Sequence, residues 1–274
     1  MRKSAFSATL RSFALTIVAA AAWVGVTAAV QPAQAGTVIL EGSDAIGLHS
    51  NSAAGAAIYR DQAFNAIGGA SALTIGVIGS GNGAIVSGSH AITDSATVAG
   101  LGPLSNYVAL YFIAGGGGCC QEDDTTIGAP GATAAVTAYL AGGGTVMIQN
   151  YTGGAAWDFA VGTGGTGNAH VAGVGGGFPS SLGCSDGETI TAAGTTNGFT
   201  QPPAIGCWTH QGYEQSFFGP LGFNLSFFDS PLGLGIDGFS SLLSHGTTVS
   251  APEPVSIALL GIGLAGIGVI RRRR

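Results

Sequence analysis

The sequence predicts an α/β fold: a single domain with a mostly parallel sheet, Gly-rich loops and an irregular C-terminal part. Continuous apolar runs alternate with helical patterns in the first half of this domain. Apolar runs without polar alternation are typical of strands that are buried on both faces of a sheet. An uncharged apolar segment also lies near each end of the chain, and we expect an N-terminal signal helix and a C-terminal transmembrane helix to flank the domain.

Strands and helices are predicted in order along the first half. Strands are expected at residues 37–41, 73–78, 107–114 and 145–149, and helical segments at 53–67, 131–141 and 154–161. Asn51 or Ser52 can cap the first helix, and Gly68-Gly69 ends it. Strand and helix alternate twice, which favours parallel pairing.

The pattern is weaker after residue 162, where short β-like stretches lie at 189–193 and 215–218 and a last helix is expected at 236–243. The order of the 107–114 strand, its Gly-rich loop, a helix and the 145–149 strand resembles the glutamine-amidotransferase-like or flavodoxin-like class of doubly wound domains. This resemblance concerns the fold alone, because one fold serves many functions.

Residues 1–35 are typical of a secretory signal peptide. A basic start precedes an uncharged apolar run at 12–30, and Ala33 and Ala35 form an A-x-A site. We expect signal peptidase to cleave after Ala35. The alternative is an uncleaved N-terminal membrane anchor, because the run is nearly long enough to span a bilayer.

The last segment, 251–274, combines a Pro-Glu-Pro tripeptide, an apolar run and a basic cluster. Its key residues are Pro252, Glu253, Pro254, Arg271, Arg272, Arg273 and Arg274. As a helix, the run 255–270 is about 24 Å long, short of a typical hydrocarbon core, a gap that snorkelling arginines and local thinning can close. The positive-inside rule keeps the arginines cytoplasmic, and the preceding domain then faces away from the cytoplasm.

These three features in this order resemble the PEP-CTERM sorting signal, whose members occur in Gram-negative bacteria that make extracellular polysaccharide. The resemblance implies that an exosortase recognises Pro252-Glu253-Pro254, removes the tail and passes the protein outward. The chain would be held transiently in the inner membrane and then reach the cell surface or the extracellular matrix. A plain C-terminal anchor remains the alternative, and the resemblance covers only 251–274.

Charge limits the possible partners of the exported domain, residues 36–250. Fourteen acids and a single base, Arg60, lie between Gly36 and Pro254. This balance argues against binding nucleic acid or anionic lipid, and it favours solubility and an attraction for cations. No cofactor is indicated: Gly79–Ala84 fits G-x-G-x-x-A but reads as a turn, since no helix is predicted after it.

Four cysteines lie in the exported domain, and in an oxidising compartment an even number favours disulfides. Adjacent cysteines rarely pair, so Cys119 and Cys120 are each expected to bond to one of Cys184 and Cys207. Two alternatives stay open, a zinc site completed by His210 and a cysteine nucleophile.

Two further groups have a functional and a structural interpretation. The acids Glu122, Asp123 and Asp124 can bind calcium, or they form a solvated loop that also supplies a helix N-terminus. The cluster of Trp208, His210, Tyr213 and Glu214 can stack on sugars, or it forms a packed core edge.

The sequence favours a structural or binding role for an exported, exosortase-processed protein. Its expected partners are signal peptidase and exosortase, with extracellular polysaccharide as a further candidate. An exported hydrolase or amidotransferase-like enzyme and a carbohydrate- or calcium-binding matrix module are the alternatives.

Overall fold

The structure is a computed structural model that describes residues 36–43, 46, 54–69, 73–79, 90–113, 124–173, 176–177, 188–201, 210–229, 239–240 and 243–247. All of them belong to one compact unit, Gln34–Ala251. The predicted signal peptide and the sorting segment, with its expected membrane helix, lie outside the described residues. Within the described ranges, no helix is both long and apolar enough to cross a membrane.

Short strands and helices make up the described part of the chain. The strands are β1 Thr37–Glu41, β2 Ile75–Ile78, β3 Ile92–Ser95, β4 Ala109–Phe112, β5 Thr145–Gln149, β6 Val171–Gly173, β7 Gly176–Gly177, β8 Glu188–Ile190, β9 Gln211–Glu214, β10 Asn224–Leu225, β11 Phe227–Asp229, β12 Phe239–Ser240 and β13 Leu243–Thr247. The helices are α1 Ala54–Gly68, α2 Asp124–Gly128, α3 Ala132–Ala141, α4 Asp158–Val161, α5 Ala192–Thr196 and α6 Gln215–Phe218. Single 3-10 turns lie at Ala99–Leu101, Leu104–Asn106, Ala155–Trp157, Gly167–His170 and Gly219–Leu221.

A seven-stranded sheet in the order β10-β13-β1-β5-β4-β2-β3 forms the centre of the domain. Strands β1, β5, β4, β2 and β3 are neighbours in this order and run parallel. Thr145 of β5 lies opposite Thr37 of β1 on one side and opposite Ala109 of β4 on the other. At one edge β13 runs antiparallel to β1, and β10 pairs antiparallel with β13. The predicted α/β class with a mostly parallel sheet is therefore confirmed.

Both faces of the sheet are covered, which explains the continuous apolar sequences of its strands. Successive side chains of β5 illustrate this: Val146 and Ile148 belong to one hydrophobic cluster, and Met147 belongs to the other. The first cluster includes α3 and Trp157, whereas the second includes α1. We call these the α3 face and the α1 face.

The two longer helices have the sequence features of sheet-covering helices. On α3 the buried residues Ala132, Val136 and Leu140 recur every four positions and form one stripe along the helix. Three glycines follow it, and their main-chain N–H groups donate to carbonyls of the last helical turn. The helix α1 ends similarly, because Gly69 adopts a φ of +75° and donates to the Asn65 carbonyl at 2.9 Å.

Two small antiparallel sheets occupy the C-terminal part, with the orders β12-β9-β6-β7 and β11-β8. Two of the sequence-based assignments here are wrong. The stretch 215–218 is the helix α6, and the strand β9 lies just before it. The described part of the expected helix at 236–243 forms strand β12 and the start of β13. Partner strands distant in sequence explain the second of these differences, because Phe239 pairs with Glu214 and Leu243 pairs with Glu41.

Candidate functional site

The chain connections that follow β1 and β5 go to opposite faces of the sheet, and the carboxyl ends of these two strands define the candidate site. The chain leaves β1 toward α1 on one face, and it leaves β5 toward Trp157 on the opposite face. The two strands are hydrogen-bonded neighbours. In open α/β sheets a crevice forms at the carboxyl ends of such a strand pair, and ligands bind there.

Glu41, the last residue of β1, carries a fully buried carboxyl group at this point. Its Oε1 atom accepts hydrogen bonds from the Ser43 main-chain N–H at 2.9 Å and from the Ser43 hydroxyl. The hydroxyl of Tyr59, on α1, donates to the same oxygen at 3.3 Å. Buried carboxyl groups are costly unless they are hydrogen-bonded, and these three donors meet that requirement for Oε1.

The tyrosine of this network is held in its protonated form. Burial raises the pKa of Tyr59 well above its ordinary value of 10.0, and the nearby Glu41 charge raises it further. Tyr59 therefore acts as a fixed hydrogen-bond donor. Its ring also packs against Phe199 and Phe227, with centroid distances of 5.8 and 5.9 Å.

The end of β5 supplies two amides to the same region. The Gln149 side chain donates from Nε2 to the Ser43 carbonyl at 3.0 Å, and the Asn150 N–H donates to the Glu41 carbonyl at 2.6 Å. Asn150 has a φ of +53°, which is uncommon for a residue with a side chain. Its amide is buried, and neither Oδ1 nor Nδ2 has a partner among the described residues.

The C-terminal part of the chain closes this region. The Gly42 carbonyl accepts from the N–H groups of His210 and Gln211 at 2.8 and 3.0 Å. The His210 side chain is only 1% exposed, and Glu41, Ser43 and Asn150 are each 0% exposed. The network thus joins β1, α1, the end of β5 and the start of β9 from within the domain.

A second polar contact joins His170 and Glu214 near the surface. The two side chains are 2.5 Å apart at Nδ1 and Oε2, and the Phe217 ring stacks on the imidazole at 3.8 Å. Burial raises the pKa of Glu214, but hydrogen bonds from Ser216 and His170 and the His170 charge outweigh it, so the pKa lies below its ordinary value of 4.5. The pair links the 3-10 turn Gly167–His170 to the end of β9.

The structure separates the residues that the sequence singled out. His210 and Tyr213 are buried, and Tyr213 packs on Phe218 at 5.5 Å, which agrees with a packed core edge. Asp124 is exposed and begins α2, as expected of an acid at a helix N-terminus. Several predicted residues lie outside the described residues: the four cysteines, Glu122, Asp123, Trp208, the cleavage residues Ala33 and Ala35, and the sorting residues. Within the described ranges, no three His, Cys, Asp or Glu side chains are grouped to hold a metal ion.

Sequence reasoning missed the Glu41 network, although a signal for it exists. The predicted strands at 37–41 and 145–149 each end in polar residues that interrupt an apolar run. It also missed a cleft at the opposite, amino-terminal edge of the sheet, lined by Tyr107, Tyr139 and several glycines. Those residues come from the chain before β4 and from the end of α3, and only the fold brings them together.

Comparison with known proteins gives one finding, and it concerns the end of the chain. No curated protein and no solved structure matches the chain. Residues 250–274 match the family model of the PEP-CTERM protein-sorting motif. The chain thus carries the PEP-CTERM sorting motif, which supports an exosortase-targeted surface protein.

Proposed function

We propose that this protein is exported, processed by an exosortase and delivered to the cell surface or the polysaccharide matrix, where its acidic α/β domain has a structural or binding role. The PEP-CTERM match at 250–274 carries the proposal. The A-x-A site at Ala33 and Ala35 supports export, since it would expose the domain to the same compartment in which the exosortase acts on Pro252-Glu253-Pro254.

At the Glu41 network, the arrangement of polar groups in the described part of the chain supports binding or structure over catalysis. Catalytic groups must reach a substrate, and a general acid or base works within hydrogen-bond distance of the proton that it transfers. Glu41 and Ser43 are instead 0% exposed and bonded to one another, at the edge where α/β enzymes place their chemistry. This is the geometry of a polar core element.

Replacing Pro252-Glu253-Pro254 with three alanines tests the sorting step. We expect the variant to remain in the inner membrane as a species that keeps Arg274, whereas the wild-type protein is released in shortened form. Alanines at Thr248 and Val249, which precede the matched residues, provide the control and should leave release unchanged. Release of the triple-alanine variant at the normal rate would refute exosortase processing.

Intact mass of the recovered protein, with and without reduction, tests the processing and the cysteines together. A mass that begins at Gly36 and ends near Pro254 supports both cleavages. A gain of about 4 Da on reduction supports two disulfides among the 4 cysteines. Unpaired Cys119 and Cys120 would instead favour the alternative of an exported enzyme with a cysteine nucleophile, because a disulfide-bonded sulfur cannot attack a substrate.

A further inference from the structure

An open cleft of about 630 Å³ lies at the amino-terminal edge of the parallel sheet, away from the Glu41 network. One wall comes from the 3-10 turn Leu104–Asn106 and the residues that lead into β4. The other comes from the end of α3 and the glycine turn before β5. This volume lies in the usual range of ligand-binding clefts, about 300–1,000 Å³.

Among the described residues, the lining of the cleft carries no charge. None of its lining residues has an ionised side chain: they are Gly102, Leu104, Ser105, Tyr107, Val108, Ala135, Ala138, Tyr139, Gly142, Gly143 and Gly144. Burial raises the pKa of Tyr139 to about 12, an effect that the Thr145 main chain partly offsets, so its hydroxyl is neutral at physiological pH. The surrounding domain is strongly acidic and repels anions. The described lining offers no ionic partner for a charged ligand, and the acidity of the domain disfavours an anionic one, so an uncharged ligand fits the cleft better than an anionic ligand.

Two tyrosine rings in the cleft are fixed before any ligand arrives. The Tyr107 hydroxyl donates to the Leu101 carbonyl at 3.0 Å, and the Tyr139 hydroxyl donates to the Tyr107 carbonyl at 3.2 Å. Both residues remain partly exposed. Aromatic side chains whose rotamers are already set lose little entropy on binding and offer apolar faces to a ligand.

Glycine is required where Tyr139 lies against the chain. A Cβ built at Gly144 would lie 2.3 Å from Cε1 of Tyr139, well inside van der Waals contact. At Gly102, whose φ is +72°, a Cβ would meet nothing within 4 Å, so the cleft is open on that side. The exposed Ser105 adds a hydroxyl group at the 3-10 turn.

We propose that this cleft, which we call the Tyr107–Tyr139 cleft, binds a neutral saccharide chain. Sugar rings present C–H faces that pack on aromatic rings, and their hydroxyls match main-chain groups and a serine hydroxyl. The inference rests on the proposed function in one respect: a protein released at the cell surface meets extracellular polysaccharide. It adds the ligand class, because an acidic polysaccharide would be repelled by the domain.

Affinity electrophoresis of the protein recovered from the producing cells, with its exported domain intact, tests this binding. The acidic protein migrates toward the anode in native gels that contain dextran, hydroxyethylcellulose, galactomannan or the neutral polysaccharide fraction of the producing cells. We expect retardation in at least one of these neutral gels and none in alginate. Unchanged mobility in every neutral gel, or retardation in alginate alone, would overturn the proposal.

Paired substitutions on α3 locate the site. Ala138 and Ala134 are both exposed on this helix, but only Ala138 lines the cleft. Ala138→Met places an unbranched apolar side chain in the cleft, and we expect about a tenfold weaker retardation constant, comparable to the loss of one aromatic contact. Ala134→Met should bind as the wild type does. Equal binding by both variants, or equal loss, would contradict the assignment.

Intact mass of the same preparation separates this proposal from the proposed function. If the chain is correctly processed but no neutral gel retards it, the saccharide site is refuted and the sorting proposal stands. If the tail is retained and retardation persists, the sorting proposal falls and the site stands.

Discussion

Gly144 permits close packing of Tyr139, and its replacement by alanine gives a quantitative test of the described packing. The added Cβ would lie 2.3 Å from Cε1 and 2.5 Å from Cδ1 and Cζ of the Tyr139 ring. The ring must therefore move by about an ångström, and overpacking of this kind costs about 1–3 kcal/mol. Movement also weakens the hydrogen bond from Tyr139 to the Tyr107 carbonyl, worth about 1 kcal/mol.

A small gain opposes these costs, because replacing glycine by alanine stiffens the unfolded chain by about 0.4–1 kcal/mol. We therefore expect Gly144→Ala to lower the free energy of unfolding by about 1–3 kcal/mol, a fall in Tm of roughly 3–10 °C for a domain of this size. Urea unfolding followed by circular dichroism gives the free energy, provided that the m-value is unchanged.

Gly142→Ala is the matched control on the same turn. Its Cβ would lie 3.4 Å from the Tyr139 carbonyl oxygen and 3.5 Å from that of Ala138, which are ordinary contacts. With a φ of −81°, the position also accepts alanine without backbone strain. We expect Gly142→Ala to be neutral or slightly stabilising. If Gly144→Ala proves as stable as Gly142→Ala, the Tyr139 ring is not confined as described.

Two further predictions concern the polar contacts. Tyr59→Phe removes a donor to the buried Glu41 carboxyl and should lower the free energy of unfolding in urea by about 1–2 kcal/mol. Tyr107→Phe, at a partly exposed site, is the control and should lower it by about 0.5–1 kcal/mol. The reverse order would contradict a buried Glu41 network. Glu214→Gln removes the contact with His170 and should cost at most about 1 kcal/mol at pH 7. Because the folded-state pKa of Glu214 lies below its ordinary value of 4.5, this cost is present above pH 4.5 and is lost as the pH falls through the folded-state pKa. A cost that does not decrease at any pH below 4.5 would contradict the contact between the Glu214 carboxylate and His170.

The strongest apolar runs gave the best agreement between sequence and structure. Strands β1 and β5 occupy 37–41 and 145–149 as expected, and α1 and α3 lie within one or two residues of their predicted bounds. The predicted strand at 107–114 is observed as Ala109–Phe112. These segments are fixed locally, because a buried strand or an amphipathic helix shows its environment in its own residues.

The C-terminal part could not be assigned in the same way. Its described strands are only two to five residues long, so they carry little periodic signal. β13 pairs with β1, about two hundred residues earlier in the chain, and that contact is a property of the folded sheet. The same holds for the Tyr107–Tyr139 cleft, whose walls are separated in the chain by β4 and α2.

The sequence by itself determined the α/β class, the acidic character of the exported domain and the sorting motif at 250–274, because composition, local periodicity and a contiguous recognition motif need no tertiary contacts. Only the tertiary structure decided that Glu41, Ser43 and Tyr59 form a buried network and that Tyr107 and Tyr139 share a cleft. Burial and side-chain proximity depend on which strands become neighbours, and the order of the sheet differs from the order of the chain.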